Sequence, residues 1–128
     1  LTEEEQQVLD LTNKQRTAAG LAPLKPAKKL FLAARTHSIE MAKQGQLAHT
    51  LNGKGPGERL ADAGYAHRGW AENVAAGQRT PAEVVTSWMN SEGHKQNILS
   101  QHAEIGIGVA ATADGMRYWT QVFGNPRQ

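Results

Sequence analysis

The stretch IGIGVAATADGMRYWTQVF, residues 105–123, decides the fold class of this chain. Its first six residues alternate β-branched with small side chains, which predicts a strand with one small-residue face. Asp114 and Gly115 are the signal of a tight turn, and residues 116–123 are rich in aromatic and β-branched residues. The stretch therefore predicts two antiparallel strands, over 105–110 and 116–123.

Helix signals fill the chain before this hairpin. Thr2 and Glu5 have capping-box spacing, and so have Thr80 and Glu83, with Pro81 at the first position of the predicted helix. Because the helices come first and the strands last, we expect an α+β fold in which helices cover a small antiparallel sheet. The start and stop signals predict helical segments over roughly 2–20, 26–44, 58–63, 80–89 and 94–99, the second with Pro26 in its first turn.

The length and composition fit one globular domain. The chain has 128 residues, 39% of them hydrophobic and 20% charged, and we expect residues 1–128 to form a single, monomeric domain. No apolar run approaches the roughly 18 residues that a membrane-spanning helix needs. The net charge is only +2 and the basic residues are dispersed, which argues against nucleic-acid binding.

The chain contains no cysteine. This excludes disulfides, thiolate zinc sites and cysteine nucleophiles. The sequence starts at Leu1 without an apolar leader, so we expect a mature or trimmed product whose targeting segment is missing.

Short motifs of known chemistry are fragmentary. Gly106, Gly108 and Ala111 match a dinucleotide-binding fingerprint, but they lie in a predicted strand with no helix after it. His37 and Glu40 lie three residues apart on a predicted helix, where a packing or surface role is the simpler interpretation. Neither pattern predicts a site.

The other histidines differ in their predicted context. His67, in a glycine-flanked loop, and His102, just before a strand, should be solvated. His49 follows the end of one helix and His94 follows the end of another, and such positions commonly carry functional sites. Spacing alone does not establish a site, but it makes His49 and His94 the candidates.

Several motifs, taken in order, resemble the CAP superfamily of cysteine-rich secretory proteins, antigen 5 and pathogenesis-related proteins. Leu47–Thr50 is similar to the family's histidine motif, Ala71–Asn73 to its Gly-Glu-Asn, and Tyr118–Phe123 to its His-Tyr-Thr-Gln-Val-Val strand. The segment Trp88–Leu99, WMNSEGHKQNIL, is close to the Trp-x-x-Ser-x-Gly-His-Arg-x-Asn-Ile-Leu pattern of the bacterial branch. Together with an opening helix and link over Asn13–Leu24, the resemblance covers nearly the whole chain.

The resemblance implies an α-β-α sandwich with a central cleft, which eukaryotic members line with two histidines and two glutamates. His49 and Glu72 match the first histidine and the first glutamate. Ser91 stands where the second glutamate is expected, and Tyr118 stands in place of the second histidine. The bacterial motif suggests His94 as the replacement, so we expect these five side chains at the cleft.

Two imidazoles and one carboxylate allow three kinds of chemistry. His49, His94 and Glu72 could hold a divalent metal such as zinc with one open position, although no cofactor is obligatory. They could instead form a hydrogen-bonded network that shapes the cleft. Glu72 could also serve as a catalytic general base in hydrolysis. Gln121, if its strand lines the cleft as in the family, would contact the ligand or a cleft histidine.

Three functions are therefore open. We favour a secreted or cell-envelope module whose cleft binds a small molecule, a metal or an envelope component without turnover, because the resemblance implies mostly non-catalytic roles. The second function is a metal-assisted hydrolase, peptidase- or esterase-like, with Glu72 as the base. The third is a structural or protein-interaction domain with a vestigial cleft, which fits the incomplete set of four residues.

Overall fold

The computed structural model describes residues 1–127, which form an α-β-α sandwich. No helix in this range combines the length and apolarity that a bilayer span requires. The elements in chain order are α1 (Glu3–Ala18), β1 (Lys25–Pro26), α2 (Lys28–Gln44), α3 (Pro56–Asp62), β2 (His67–Ala76), α4 (Pro81–Met89), α5 (Glu92–Ile98), β3 (Glu104–Ala111) and β4 (Arg117–Pro126).

The sheet has the strand order β1-β3-β4-β2. β4 is antiparallel to both of its neighbours, with Gln121 opposite Ile107 of β3 and Asn73 of β2. β1 adds a two-residue parallel pairing with the start of β3. The predicted α+β class and the antiparallel hairpin of the last two strands are confirmed.

Successive residues of β4 face opposite helical layers, as strand geometry requires. Tyr118 packs in an apolar cluster with α2, and Thr120 forms a 2.7 Å hydrogen bond with Ser38 of the same helix. Gln121 points to the other layer, where its Nε2 donates to Thr12 Oγ1 of α1 at 2.8 Å. The sheet therefore separates two cores, one under α2 and α3 and one under α1, α4 and α5.

Two glycines allow α2 to lie directly on β3. A Cβ at Gly106 would come within 2.1 Å of the Leu30 backbone, and one at Gly108 within 2.4 Å of the Ala34 backbone. No side chain fits in that space, so the glycines are required by the close approach of helix and strand. The dinucleotide-like pattern in this strand is thus explained by packing.

The structure corrects two predicted segments. Pro26 lies in β1, and α2 begins at Lys28, so the proline is not in the first turn of that helix. Residues 67–76 form β2, where a glycine-containing turn was expected. Its sequence HRGWAENVAA lacks a clear alternation of apolar and polar residues, because buried polar side chains occupy its middle. The strand is recognisable only from the tertiary contacts it makes.

Smaller corrections concern capping and exposure. Thr80 accepts from the Glu83 amide as expected, but the Glu83 carboxylate accepts from the Arg79 amide, so only half of the predicted capping box forms. His67 and His102 are half-buried and not solvated. Each lies against an aromatic ring, which removes part of its surface from water.

Candidate functional site

Three side chains from separate elements form one hydrogen-bonded chain. His49 lies in the loop between α2 and α3, Arg59 lies in α3, and Glu72 lies in β2. His49 Nδ1 donates to Glu72 Oε1 at 2.8 Å, and an Arg59 Nη donates to Glu72 Oε2 at 2.7 Å. The other Nη of Arg59 donates to the main-chain oxygen of Lys54 at 3.0 Å. We call this arrangement the His49–Glu72–Arg59 chain.

Glu72 is the buried centre of the chain. Its side chain is 1% exposed, compared with 9% for Arg59 and 54% for His49. A carboxylate removed from water needs donors on its oxygens, since an uncompensated buried charge is strongly destabilising. Each oxygen of Glu72 has one such donor, and the burial of the side chain leaves little of either oxygen accessible to a ligand or a cation.

His49 has one nitrogen engaged and one available. Nδ1 carries the hydrogen given to Glu72, and Nε2 has no hydrogen-bond partner in residues 1–127. The hydrogen bond to Glu72 raises the pKa of His49 above its ordinary value, against smaller opposing effects of partial burial and of Arg59. Nε2 therefore accepts a hydrogen bond when the ring is neutral and donates one when it is protonated.

His37 holds the loop that carries His49. It is buried in α2, and its Nε2 donates to the main-chain oxygen of Ala48 at 2.7 Å. Burial lowers the pKa of His37, which keeps the ring neutral. The packing role predicted for His37 is confirmed, and its hydrogen bond fixes the residue immediately before His49.

Ser91 and His94 lie at the start of α5. His94 Nδ1 is 2.8 Å from Ser91 Oγ, and nothing in residues 1–127 joins either side chain to Glu72 or His49 by a hydrogen bond. Burial lowers the pKa of His94, and the charge of His49 lowers it further. The two rings are thus within electrostatic reach of each other, but His94 is not part of the His49–Glu72–Arg59 chain.

A buried network of amide side chains fixes α5 against the sheet. Asn73 Nδ2 donates to the main-chain oxygen of His94 at 3.1 Å and to Gln121 Oε1 at 3.0 Å. Asn97 Nδ2 donates to Asn73 Oδ1 at 2.9 Å. Because Asn73 is the neighbour of Glu72 in β2, this network sets the position of α5 relative to the buried carboxylate.

The site opens into a cavity of about 360 Å³. Ser91 and His94 are half-buried and lie outside its lining. The cavity combines a charged end with an aromatic wall, since Trp70 is 41% exposed. Its lining residues are His49, Pro56, Trp70, Ala71, Glu72 and Asn97.

The structure places Tyr118 and Gln121 in the interior instead of on the cleft wall. Tyr118 is 5% exposed in an apolar cluster, and Gln121 is fully buried between Asn73 and Thr12. Both residues belong to the central strand β4, which helices cover on both faces. Among the strands of residues 1–127, only the edge strand β2 contributes to the cavity lining.

The donor set does not fit a tightly bound metal ion. No three histidine, aspartate or glutamate side chains in the described part of the chain are grouped as a metal would require. His49 and His94 supply two nitrogens, whereas the Arg59 guanidinium lies against Glu72 and adds a positive charge where a cation would sit. Zinc sites in proteins use three or four protein ligands.

Most of the sequence matches the profile of one known protein family. The profile of the cysteine-rich secretory protein family, the CAP family, matches residues 9–123. This chain belongs to the CAP family. It does so without any of the cysteines after which that family is named.

Two bacterial proteins are similar to this CAP domain over most of its length. The uncharacterized protein YkwD of Bacillus subtilis is 38% identical over 121 residues, which are 93% of this chain and 46% of that protein. An extracellular protein of Bacillus anthracis that contains an SCP domain has a solved structure with a TM-score of 0.87 and 29% identity, over 95% of this chain and 40% of that chain. The chain thus spans less than half the length of both proteins.

A third match concerns the fold alone. An outer surface protein of Borrelia burgdorferi superposes with a TM-score of 0.89 at 23% identity, over 95% of this chain and 92% of that chain. The match extends the CAP sandwich to a protein of nearly the same length as this chain.

Three residues of the CAP cleft were missed in the sequence. Arg59 and Asn97 lie on short helices, and no motif in the sequence assigns either side chain to the cleft. For Trp70 the sequence leaves the core and the cleft wall open. The signal available for Trp70 was its spacing of two residues from Glu72, which on a strand places both side chains on one face.

Proposed function

We propose that this chain is an extracytoplasmic CAP domain whose cleft binds a small polar ligand without turnover. The observation that carries the proposal is the His49–Glu72–Arg59 chain, which holds a half-exposed imidazole at the mouth of the cavity with Nε2 unengaged. A pre-positioned polar group beside an aromatic wall is typical of small-ligand sites. The extracellular Bacillus anthracis relative supports an extracytoplasmic location.

Glu72 serves in this proposal as a positioning residue. Its two donors occupy both oxygens, so it orients His49 and raises the pKa of that ring. A hydrolase with Glu72 as general base would need a water to reach a carboxylate that is 1% exposed and already accepts from His49 and Arg59. In this proposal His49, whose Nε2 is unengaged, makes the contact with the ligand.

We propose further that the cleft works without a resident metal. His49 and His94 would be the nitrogens available to a cation, whereas Glu72 is buried and already accepts from His49 and from the positively charged Arg59. Calorimetric titration of metal-stripped wild type with zinc should show no binding that depends on both His49 and His94, as judged from His49→Ala and His94→Ala. Stoichiometric zinc uptake that both substitutions abolish would contradict this.

The binding function can be tested by nuclear magnetic resonance with a library of small polar compounds. Ligands should shift backbone amides of His49, Glu72 and Asn97, and the shifts should disappear in His49→Ala. His67→Ala is the matched control, because His67 is a histidine outside the cavity lining. The proposal fails if compounds shift only residues elsewhere, or if binding is unchanged in His49→Ala.

Turnover is tested with the same samples. Compounds that bind should be recovered unchanged after long incubation with the protein, as judged from their own proton spectra. If wild type converts a bound compound and His49→Ala does not, the function is catalysis at His49 and not binding without turnover.

A further inference from the structure

Trp70 differs from the other two tryptophans in both exposure and hydrogen bonding. Trp88 and Trp119 are 1% and 0% exposed, and their Nε1 atoms donate to the main-chain oxygens of Val74 and Gln78. Trp70 is 41% exposed, and its Nε1 has no acceptor within residues 1–127. Two of the three indoles therefore serve the core, whereas the third is left with an open surface and an available donor.

The surroundings of Trp70 leave its ring accessible at the cavity. The indole lies beside Gly57 in the first turn of α3, where an added Cβ would be 3.6 Å from Nε1. Pro56 and Ala71 are the other apolar residues of the cavity lining. The wall is thus one flat ring with two small neighbours, which is too little apolar surface for an acyl chain or a sterol.

The polar groups opposite this wall suit a hydroxyl-rich ligand. His49 Nε2 and Trp70 Nε1 have no partner within residues 1–127, and Asn97 uses its Nδ2 for internal hydrogen bonds while its Oδ1 receives none from the same range. A hydroxyl both donates and accepts, so it can satisfy the Asn97 oxygen, the indole N–H and either protonation state of His49. A purely anionic or purely cationic ligand would leave part of this set unsatisfied.

We infer that the cleft binds a pyranose sugar, with one sugar face stacked on Trp70 and its hydroxyl or acetamido groups bonded to His49 and Asn97. This inference rests on the proposed binding function and names the ligand class for it. A cavity of about 360 Å³ is at the small end of ligand sites, which fits one ring of an oligosaccharide with its neighbours extending into solvent. Aromatic faces carry much of the contact energy in such sites.

The test is a titration with two β-1,4-linked trisaccharides, one of N-acetylglucosamine and one of glucose, with trialanine as a non-sugar of similar size. The three indole N–H resonances report directly, because Trp70 should shift while Trp88 and Trp119 stay in place as internal controls. We expect at least one sugar to bind with a dissociation constant of about 1 mM, since one stacked ring and a few hydrogen bonds offset only part of the entropy lost on binding.

Substitutions of Trp70 distinguish a stacking contact with the sugar from a purely structural role of this side chain. Trp70→Ala should weaken sugar binding about tenfold, and Trp70→Tyr should keep most of it, because tyrosine retains a flat ring. Met116→Ala is the matched control, since Met116 is also 41% exposed but lies in the β3–β4 hairpin. The control variant should bind as wild type does.

The outcomes distinguish the ligand class from the binding function. If neither sugar shifts the Trp70 indole at about 20 mM, well above the expected dissociation constant, the sugar inference is wrong. If trialanine or another library compound then still shifts His49 in wild type only, the binding function stands without it. Sugar binding that is equal in Trp70→Ala and Trp70→Tyr would also overturn the stacking inference.

Discussion

The two candidate histidines, His49 and His94, have opposite environments. His49 bonds to a buried carboxylate, which raises its pKa, whereas His94 bonds to a serine hydroxyl in a partly buried position, which lowers its pKa. The same side chain thus becomes a readily protonated donor in the α2–α3 loop and a neutral group on α5. The two pKa shifts have different causes, the hydrogen bond to Glu72 at His49 and, at His94, burial followed by the charge of His49.

A charged pair of side chains supports His49, and an amide network supports His94. Arg59 holds Glu72, and Glu72 holds the His49 ring itself. Asn73 holds only the main chain of His94. A carboxylate that touches the ring sets both its direction and its protonation, whereas a backbone contact sets only its position.

The largest expected effect comes from removing the buried carboxylate. Glu72→Ala leaves Arg59 buried without its partner, and we expect the free energy of unfolding to fall by about 3–5 kcal/mol in urea denaturation. Asp62→Ala is the control, because Asp62 pairs with Lys54 at the exposed surface and should change stability by less than about 1 kcal/mol. Equal effects of the two substitutions would show that burial does not distinguish these pairs.

A smaller effect on stability is expected when the amide network beside α5 is disrupted. Asn73→Ala removes the amide that links the His94 backbone to Gln121 and should lower the free energy of unfolding by about 1–3 kcal/mol. Hydrogen exchange of the α5 amides should quicken, while the ring of His49 keeps its hydrogen bond to Glu72. Unchanged exchange in α5 would contradict the role of the network.

The fold was largely predictable where local signals agree with packing. The hairpin at Asp114 and Gly115 and the inner face of α2 follow from turn chemistry and apolar spacing. β2 was not predictable, because the polar residues Glu72 and Asn73 in its buried middle break the alternation that identifies a strand. Glu72 is buried against Arg59, and Asn73 against Gln121 and Asn97, and no local pattern encodes these pairings.

The cleft was predictable to a similar extent. The family resemblance located His49 and Glu72, because both lie in contiguous motifs. It could not locate Trp70, whose role depends on which tryptophan the fold leaves exposed. It also placed Tyr118 and Gln121 at the cleft, although β4 turns out to be the covered central strand.

The pH dependence of stability should differ in sign between the two rings. A folded-state pKa raised at His49 means that the folded protein binds this proton more tightly, so its contribution is full below the ordinary histidine pKa and is lost as pH rises through the folded value. For His94 the lowered pKa makes stability fall as pH drops below the ordinary value. Denaturation of His49→Gln and His94→Gln at several pH values measures both differences, and a common sign would refute the contrast.

The smallest expected effect concerns Ser91. Ser91→Ala removes the hydroxyl beside His94 and should cost about 1 kcal/mol or less, because this hydrogen bond is only partly buried. The pKa of His94 should stay below its ordinary value, since burial and the charge of His49 are the causes of the shift. A return of that pKa to the ordinary value, followed by nuclear magnetic resonance, would identify Ser91 as the cause instead.

The central claim is that Glu72, held by Arg59, orients His49 and tunes its pKa for contact with a ligand. Its most direct test is a nuclear magnetic resonance titration of the histidine rings in wild type and in Glu72→Gln. In wild type His49 should titrate above His94, and in Glu72→Gln the pKa of His49 should fall toward the ordinary histidine value while that of His94 stays low. A His49 pKa that is no higher than that of His94, or that is unchanged in Glu72→Gln, would contradict the claim.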